Sequence, residues 1–193
     1  VVMAVAAPVP DLDDRATDCA DRLREAGRAL LASHIDADGI TSAAIASTAL
    51  ARAGIDHEVV FEKQLDADSI AGIAAREFDV VLFTDFGSGQ LDVIADHEER
   101  GDFVPVIADH HQPADRDTRY HLNPLLEGID GASELSGAGA SYLLARALEG
   151  PDGDNRDLAA LAVVGAVGDM QDSDGELVGA NESIVADGVD AGV

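Results

Sequence analysis

Strand-length apolar runs alternate with helix-length amphipathic stretches along most of this chain, and no other feature restricts its possible folds so tightly. The runs at 29–33, 57–61, 78–84 and 103–108 are too short for helices, whereas 40–53, 66–76 and 91–100 carry apolar residues at helical spacing. Strands separated by helices pair in parallel, because each connection must cross back over the sheet. VVLF at 80–83 is apolar at every position, which suits a strand covered on both faces. The expected fold is α/β, a doubly wound, mostly parallel sheet flanked by helices.

An amphipathic helix at 11–27 precedes the first strand, with Leu12, Ala16, Cys19, Ala20 and Leu23 on one face and Gly27 as its stop. Further along, the pattern predicts a strand at 120–123, helices at 136–148 and 157–167, a polar turn at 151–155 and a weakly helical tail from 183. No internal repeat is visible, and 193 residues with 47% hydrophobic content suffice for one core.

Charge narrows the setting. Asp and Glu total 38 against 12 Lys and Arg, a net charge of -26, and Lys63 is the only lysine. Such a surface repels itself at low salt and stays soluble in concentrated salt, so a halophilic cytoplasm is the expected home. Acidity ordinarily opposes nucleic-acid binding, which draws on counterion release by Lys and Arg; concentrated salt already suppresses that contribution, so the objection is weak here. Cys19 is the only cysteine, which excludes an intrachain disulfide and a cysteine-based zinc cluster. The apolar stretch 1–10 lacks the basic start of a signal peptide and the length of a membrane span, so no membrane association is expected.

Metal-ligand residue types follow three of the expected strands: His34, Asp36 and Asp38 after the first, Asp85 after the third, and Asp109-His110-His111 after the fourth. In an open parallel sheet those loops converge outside the carboxyl ends of the strands. Aspartate alone carries little information among 27 aspartates, but there are only six histidines. Carboxylates with one or two imidazoles and no thiolate suit Mn, or alternatively Mg, better than structural zinc. Two such ions sharing a carboxylate activate water and clamp a phosphoester, so hydrolysis of a phosphoester is the expected chemistry. His57, His97 and His121 read as packing residues, and Asp172 and Asp174 as a solvated turn.

HIDADGITSAA, VVLFTDFGSG, VIADHHQP and VVGAVGDMQD occur in that order and resemble the four motifs of the DHH phosphoesterase superfamily, most of all its archaeal, haloarchaeal-type RecJ-like exonucleases. The resemblance implies a DHH catalytic domain over 1–193, forming the amino-terminal part of a longer protein whose second domain grips the substrate. It implies that Asp36 binds one ion and Asp38 the other, that Asp85 bridges them, and that His110 and Asp169 complete the second ion's shell. Asp109 would orient its neighbours, and His111 would act beside Asp85 in catalysis, against the scissile phosphate. His34 is carried as a further metal ligand, although the family's usual histidine position, four before Asp36, is Ala32 here. In SELSGAG, Ser136, Gly137 and Gly139 would present backbone amides to phosphate.

The resemblance implies a RecJ-like exonuclease acting on single-stranded DNA or RNA, with replication-complex proteins as possible partners. Its alternatives are a small-substrate enzyme, cutting short oligonucleotides, cyclic dinucleotides or pyrophosphate, and a replisome-associated scaffold that has lost its ligands.

Overall fold

Capping residues set the register of the helices in the computed structural model, which describes residues 7–150, 153–172 and 174–193. Residues 1–6 of the opening apolar stretch and 151–152 of the expected turn lie outside the described residues. α1 (Asp13–Ala26) ends at Gly27 and α4 (Leu91–Arg100) at Gly101, both glycines in the left-handed conformation. α2 (Ala37–Arg52), α3 (Ala67–Ala74) and α5 (Gly137–Ala147) are capped by the side chains of Asp36, Asp66 and Ser136, each accepting from an amide three residues on. α6 (Ala159–Gly168) and α7 (Gly179–Ala191) complete the helices.

Five strands, β1 (Arg28–His34), β2 (Asp56–Glu62), β3 (Val80–Thr84), β4 (Val104–Ala108) and β5 (His121–Leu122), form one sheet in the order β2-β1-β3-β4-β5, parallel throughout. Successive residues face opposite layers. Ala29, Leu31, Val80, Leu82 and Val106 pack under α1, α2, α5, α6 and α7, while Leu30, Ala32, Val81, Phe83 and Ile107 pack under α3 and α4. The sheet is thus doubly wound. All five residues of β3 are buried; β2, at the sheet edge, instead leaves Val59 and Phe61 largely exposed.

The tail departs from expectation: α7 starts at Gly179, ahead of 183. Ala180 and Ile184 bury in the core, and a Cβ on Gly188 would lie 2.7 Å from that of Ala159. Packing stabilises a helix whose own sequence propensity is poor. His57, His97 and His121 bond to Ser47, Asp102 and Ser88 respectively, as packing residues do.

The chain runs from β1 out to β2 and returns to β3 on the other side of β1. That reversal opens a crevice between the carboxyl ends of β1 and β3, the usual ligand position in such sheets.

Candidate active site

The loop after β1 supplies His34, Asp36 and Asp38. Asp36 caps α2, accepting from the Gly39 amide at 2.9 Å; that bond and the neighbouring His34 outweigh burial and keep its carboxyl acidic. His34 Nδ1 lies 2.8 Å from Asp36 Oδ2 and 3.7 Å from Asp85 Oδ2. Its Nε2 is 3.2 Å from the Lys63 carbonyl, which holds the proton on that side and leaves Nδ1 facing the carboxylates.

Asp85 leaves β3 with φ of 61°, a left-handed conformation costly for a residue with a Cβ. The turn drives its carboxylate between the two histidines: Oδ1 is 3.4 Å from His110 Nε2, and Oδ2 faces His34. Burial is the main influence on this carboxyl and raises it to about 8.

His110 is nearly buried. Its Nδ1 donates to the Gly131 carbonyl at 2.6 Å, so Nε2 points at Asp38, Asp85 and Asp169, between 3.4 and 3.8 Å away. Burial would lower its pKa, but the Asp85 carboxylate and the Gly131 carbonyl overcome that and raise it to about 10. Asp109 is fully buried, yet bonds and charge from His111 and His110 hold it well below the usual carboxylate range. Its Oδ1 accepts from the amides of His110 and His111 and from His111 Nδ1, and its Oδ2 from the Ser88 amide. His111 stays half exposed with its ring 4.3 Å from that of His110.

Ligand-capable atoms therefore gather in three groups, His34-Asp36-Asp85, Asp38-His110-Asp169 and Asp85-Asp109-His110-His111, the last sharing Asp85 with the first and His110 with the second, the atoms of each group within 4.8 Å of one another. Two buried atoms in the middle, Asp85 Oδ2 and His110 Nε2, have no hydrogen-bond partner. Buried polar atoms are rarely left so, and converging carboxylate oxygens and imidazole nitrogens are the donor types that a divalent cation takes. The donor set fits divalent ions.

The amides of the 136–139 segment bond within the protein: Gly137 N and Ala138 N donate to Asp38 at 2.7 and 2.9 Å, and Gly139 N donates to the capping Ser136 Oγ. Ser136, Gly137 and Gly139 are buried, and the helix start is occupied by a protein carboxylate. The helix terminus does bind an anion, but that anion is Asp38. Gly137 has a second reason to be glycine: a Cβ there would sit 2.5 Å from Asp85 Oδ1.

Residues outside the expected set brace the site. Gln171 Nε2 donates to the Gly131 carbonyl and to Asp169 Oδ2, and Asn181 Nδ2 donates to Gln171 Oε1 at 2.7 Å. Gln171 lies inside the fourth motif and was open to notice; Asn181, on α7, has no local signal.

A doubly wound sheet whose carboxylates and imidazoles meet at the ends of three neighbouring strands defines an α/β domain with the donor set of a divalent-cation site. The N-terminal domain of the DHH family is matched across residues 28–166, and the chain belongs to that family. Asp169 falls just beyond the match. An uncharacterized protein of Methanocaldococcus jannaschii is 34% identical over 162 residues, covering 79% of this chain and 35% of the relative. RecJ of Thermus thermophilus, solved with Mn2+, superposes with a TM-score of 0.72 at 25% identity over 98% of this chain and 28% of that one. A second exonuclease RecJ, bound to manganese, gives 0.72 at 24% identity, covering 98% and 49%. The fold is RecJ-like, and the chain spans about a third of the curated relative it matches. Among the described residues no helix is long and apolar enough to cross a membrane.

Proposed function

We propose that this domain is the catalytic unit of a metal-dependent phosphodiesterase, a RecJ-like exonuclease acting on single-stranded DNA or RNA. The observation that carries the reading is the pair of partnerless buried atoms, Asp85 Oδ2 and His110 Nε2, inside a ring of carboxylates. His34, Asp36 and Asp85 would hold one ion and Asp38, Asp85, His110 and Asp169 the other, with Mn preferred and Mg as the alternative. Such ions supply the charge that activates water and offsets negative charge on the phosphate.

The protein's own groups do the remaining work. Asp85 places one oxygen toward each histidine, the arrangement a shared ligand needs. Asp109 fixes the His111 ring through Nδ1, which leaves Nε2 of this half-exposed ring to donate to a phosphate oxygen in the crevice. The Gly131 carbonyl and Gln171 hold His110 and Asp169 in place.

Retention of Asp36, Asp38, Asp85, His110 and Asp169 argues for an enzyme over a replisome scaffold. The matched relatives are longer, and in this reading the rest of the full protein grips the strand and meets any replication partners, in a salt-rich cytoplasm. The test is turnover in concentrated KCl with Mn on end-labelled single strands, duplexes, dinucleotides and pyrophosphate. A ladder of mononucleotide steps from single strands is expected, lost in Asp85→Ala. Turnover of pyrophosphate alone would overturn the nuclease reading.

A further inference from the structure

Lys63 is the only lysine in a chain of net charge -26, and it follows directly on β2, one strand over from the carboxylate cluster. Every arginine except Arg119 has a carboxylate within ion-pair reach, so the arginine charge is largely compensated locally. Among the described residues Lys63 has no such partner. Its side chain is exposed, and its carbonyl lies against His34 Nε2, which ties it to the site.

Lys63 lines an open groove of about 670 Å³ that begins at His34, Asp85 and His111 and is floored by Phe86. The chain has four glutamines: Gln64, Gln90 and Gln112 line this groove, and the fourth, Gln171, braces the site. Gln90 Oε1 accepts from the Gly87 amide at 3.3 Å, a bond that does not use its Nε2 donor; Gln64 and Gln112 are exposed. Solubility alone would place Asp or Glu at such positions, as it does over the rest of this surface. The lining also carries Asp66, whose Oδ1 caps α3 through the Ser69 amide; the carboxamides beside Lys63 add no further charge there and can both donate and accept hydrogen bonds.

We propose that this groove is a nucleobase subsite, in which the carboxamides of Gln64, Gln90 and Gln112 bond to a base edge and Lys63 meets the adjoining phosphate. Carboxamides match the mixed donor and acceptor edges of bases, whereas a lysine is a compact charge suited to a single phosphate. Pyrophosphate offers acceptors alone, so it would leave the carboxamide oxygens unused. The inference rests on the phosphodiesterase reading above and names the substrate of that same site as a base-bearing strand.

The test is equilibrium binding of a fluorescent single-stranded oligonucleotide and of an abasic strand of equal length, in concentrated KCl with Mn, measured by anisotropy. The native protein should bind the base-bearing strand more tightly. The double variant Gln90→Ala, Gln112→Ala should lose about ten-fold on that strand and nothing on the abasic one, since the lost hydrogen bonds go to the base alone. Lys63→Ala should weaken both strands alike. Retained Mn binding certifies that each variant is folded. Equal affinity of the native protein for the two strands, or no detectable binding of either, overturns the subsite. A native protein that binds as described but hydrolyses no phosphodiester overturns the function proposed above and leaves the subsite standing.

Discussion

Asp38 is held by Gly137: its Oδ2 accepts the Gly137 amide at 2.7 Å, while its Oδ1 takes the Ala138 amide at 2.9 Å. A residue from the first turn of α2 is thus clamped by the first turn of α5, about a hundred positions further along the chain.

The clamp predicts a difference between the two aspartates of the first motif. Asp38→Ala strands two buried amides and should destabilise the metal-free protein by about 2–6 kcal/mol, at roughly 1–3 kcal/mol for each unsatisfied group. Asp36→Ala removes a partly exposed helix cap and should cost about 1 kcal/mol. Thermal unfolding with EDTA present compares the two; equal shifts would contradict the clamp.

For Asp85 the sign should depend on metal. The carboxyl is buried, raised to about 8 chiefly by that burial, and has one oxygen without a partner. Asp85→Asn should therefore stabilise the metal-free protein by ~1 kcal/mol at neutral pH, because an amide avoids the cost that burial imposes on an ionisable carboxyl. The same variant should abolish the rise in Tm that Mn gives the native protein, about 2.7 kcal/mol at a hundred times Kd. Calorimetry with and without Mn reads both effects.

Gly137→Ala introduces a Cβ 2.5 Å from Asp85 Oδ1 and 2.8 Å from its Cβ. Asp85 Cα, 3.0 Å away, belongs to the backbone and its Cβ cannot rotate clear, so the clash should cost about 1–3 kcal/mol and push Asp85 off its position. Mn affinity measured by isothermal titration should fall at least ten-fold, with far-UV circular dichroism unchanged.

Asp109→Asn keeps the shape but puts an amide opposite groups that are all donors: the Ser88, His110 and His111 amides and the His111 ring. With His111 no longer held, kcat should fall ~10–100-fold while KM and Mn stoichiometry hold, the usual cost of losing such an orienting carboxylate. A matching loss from His111→Ala, with no further loss in the double variant, would establish that Asp109 acts through His111.

Cys19 is fully buried between α1 and the core, and burial, followed by the nearby Asp18, pushes its thiol up to about 12. Native protein should resist iodoacetamide through pH 9 and react only under denaturant; mass spectrometry of labelled protein decides it.

The order of strands and helices was readable because local periodicity reports burial directly, and β3 shows it: a run apolar at every position became the strand buried along its whole length. Chemical grouping was readable too, since Asp36, Asp85 and His110 follow strands whose carboxyl ends must converge in a parallel sheet. Asp169 came from motif resemblance, as nothing in its spacing marks it. The edge position of β2 was not legible, because strand order depends on which crossover reverses.

What the sequence determined by itself is the alternating architecture, the acidic surface and the set of ligand-type side chains. Tertiary structure alone decided which backbone amides those side chains engage. SELSGAG reads as an amide-presenting turn whatever its target, and only its packing against α2 assigns the Gly137 and Ala138 amides to Asp38. It also decided that Gln171 and Asn181 brace His110, and that Lys63 opens on the same crevice. These are contacts between segments tens of residues apart, whose geometry is fixed by helix-on-sheet packing and leaves no periodic trace in either segment.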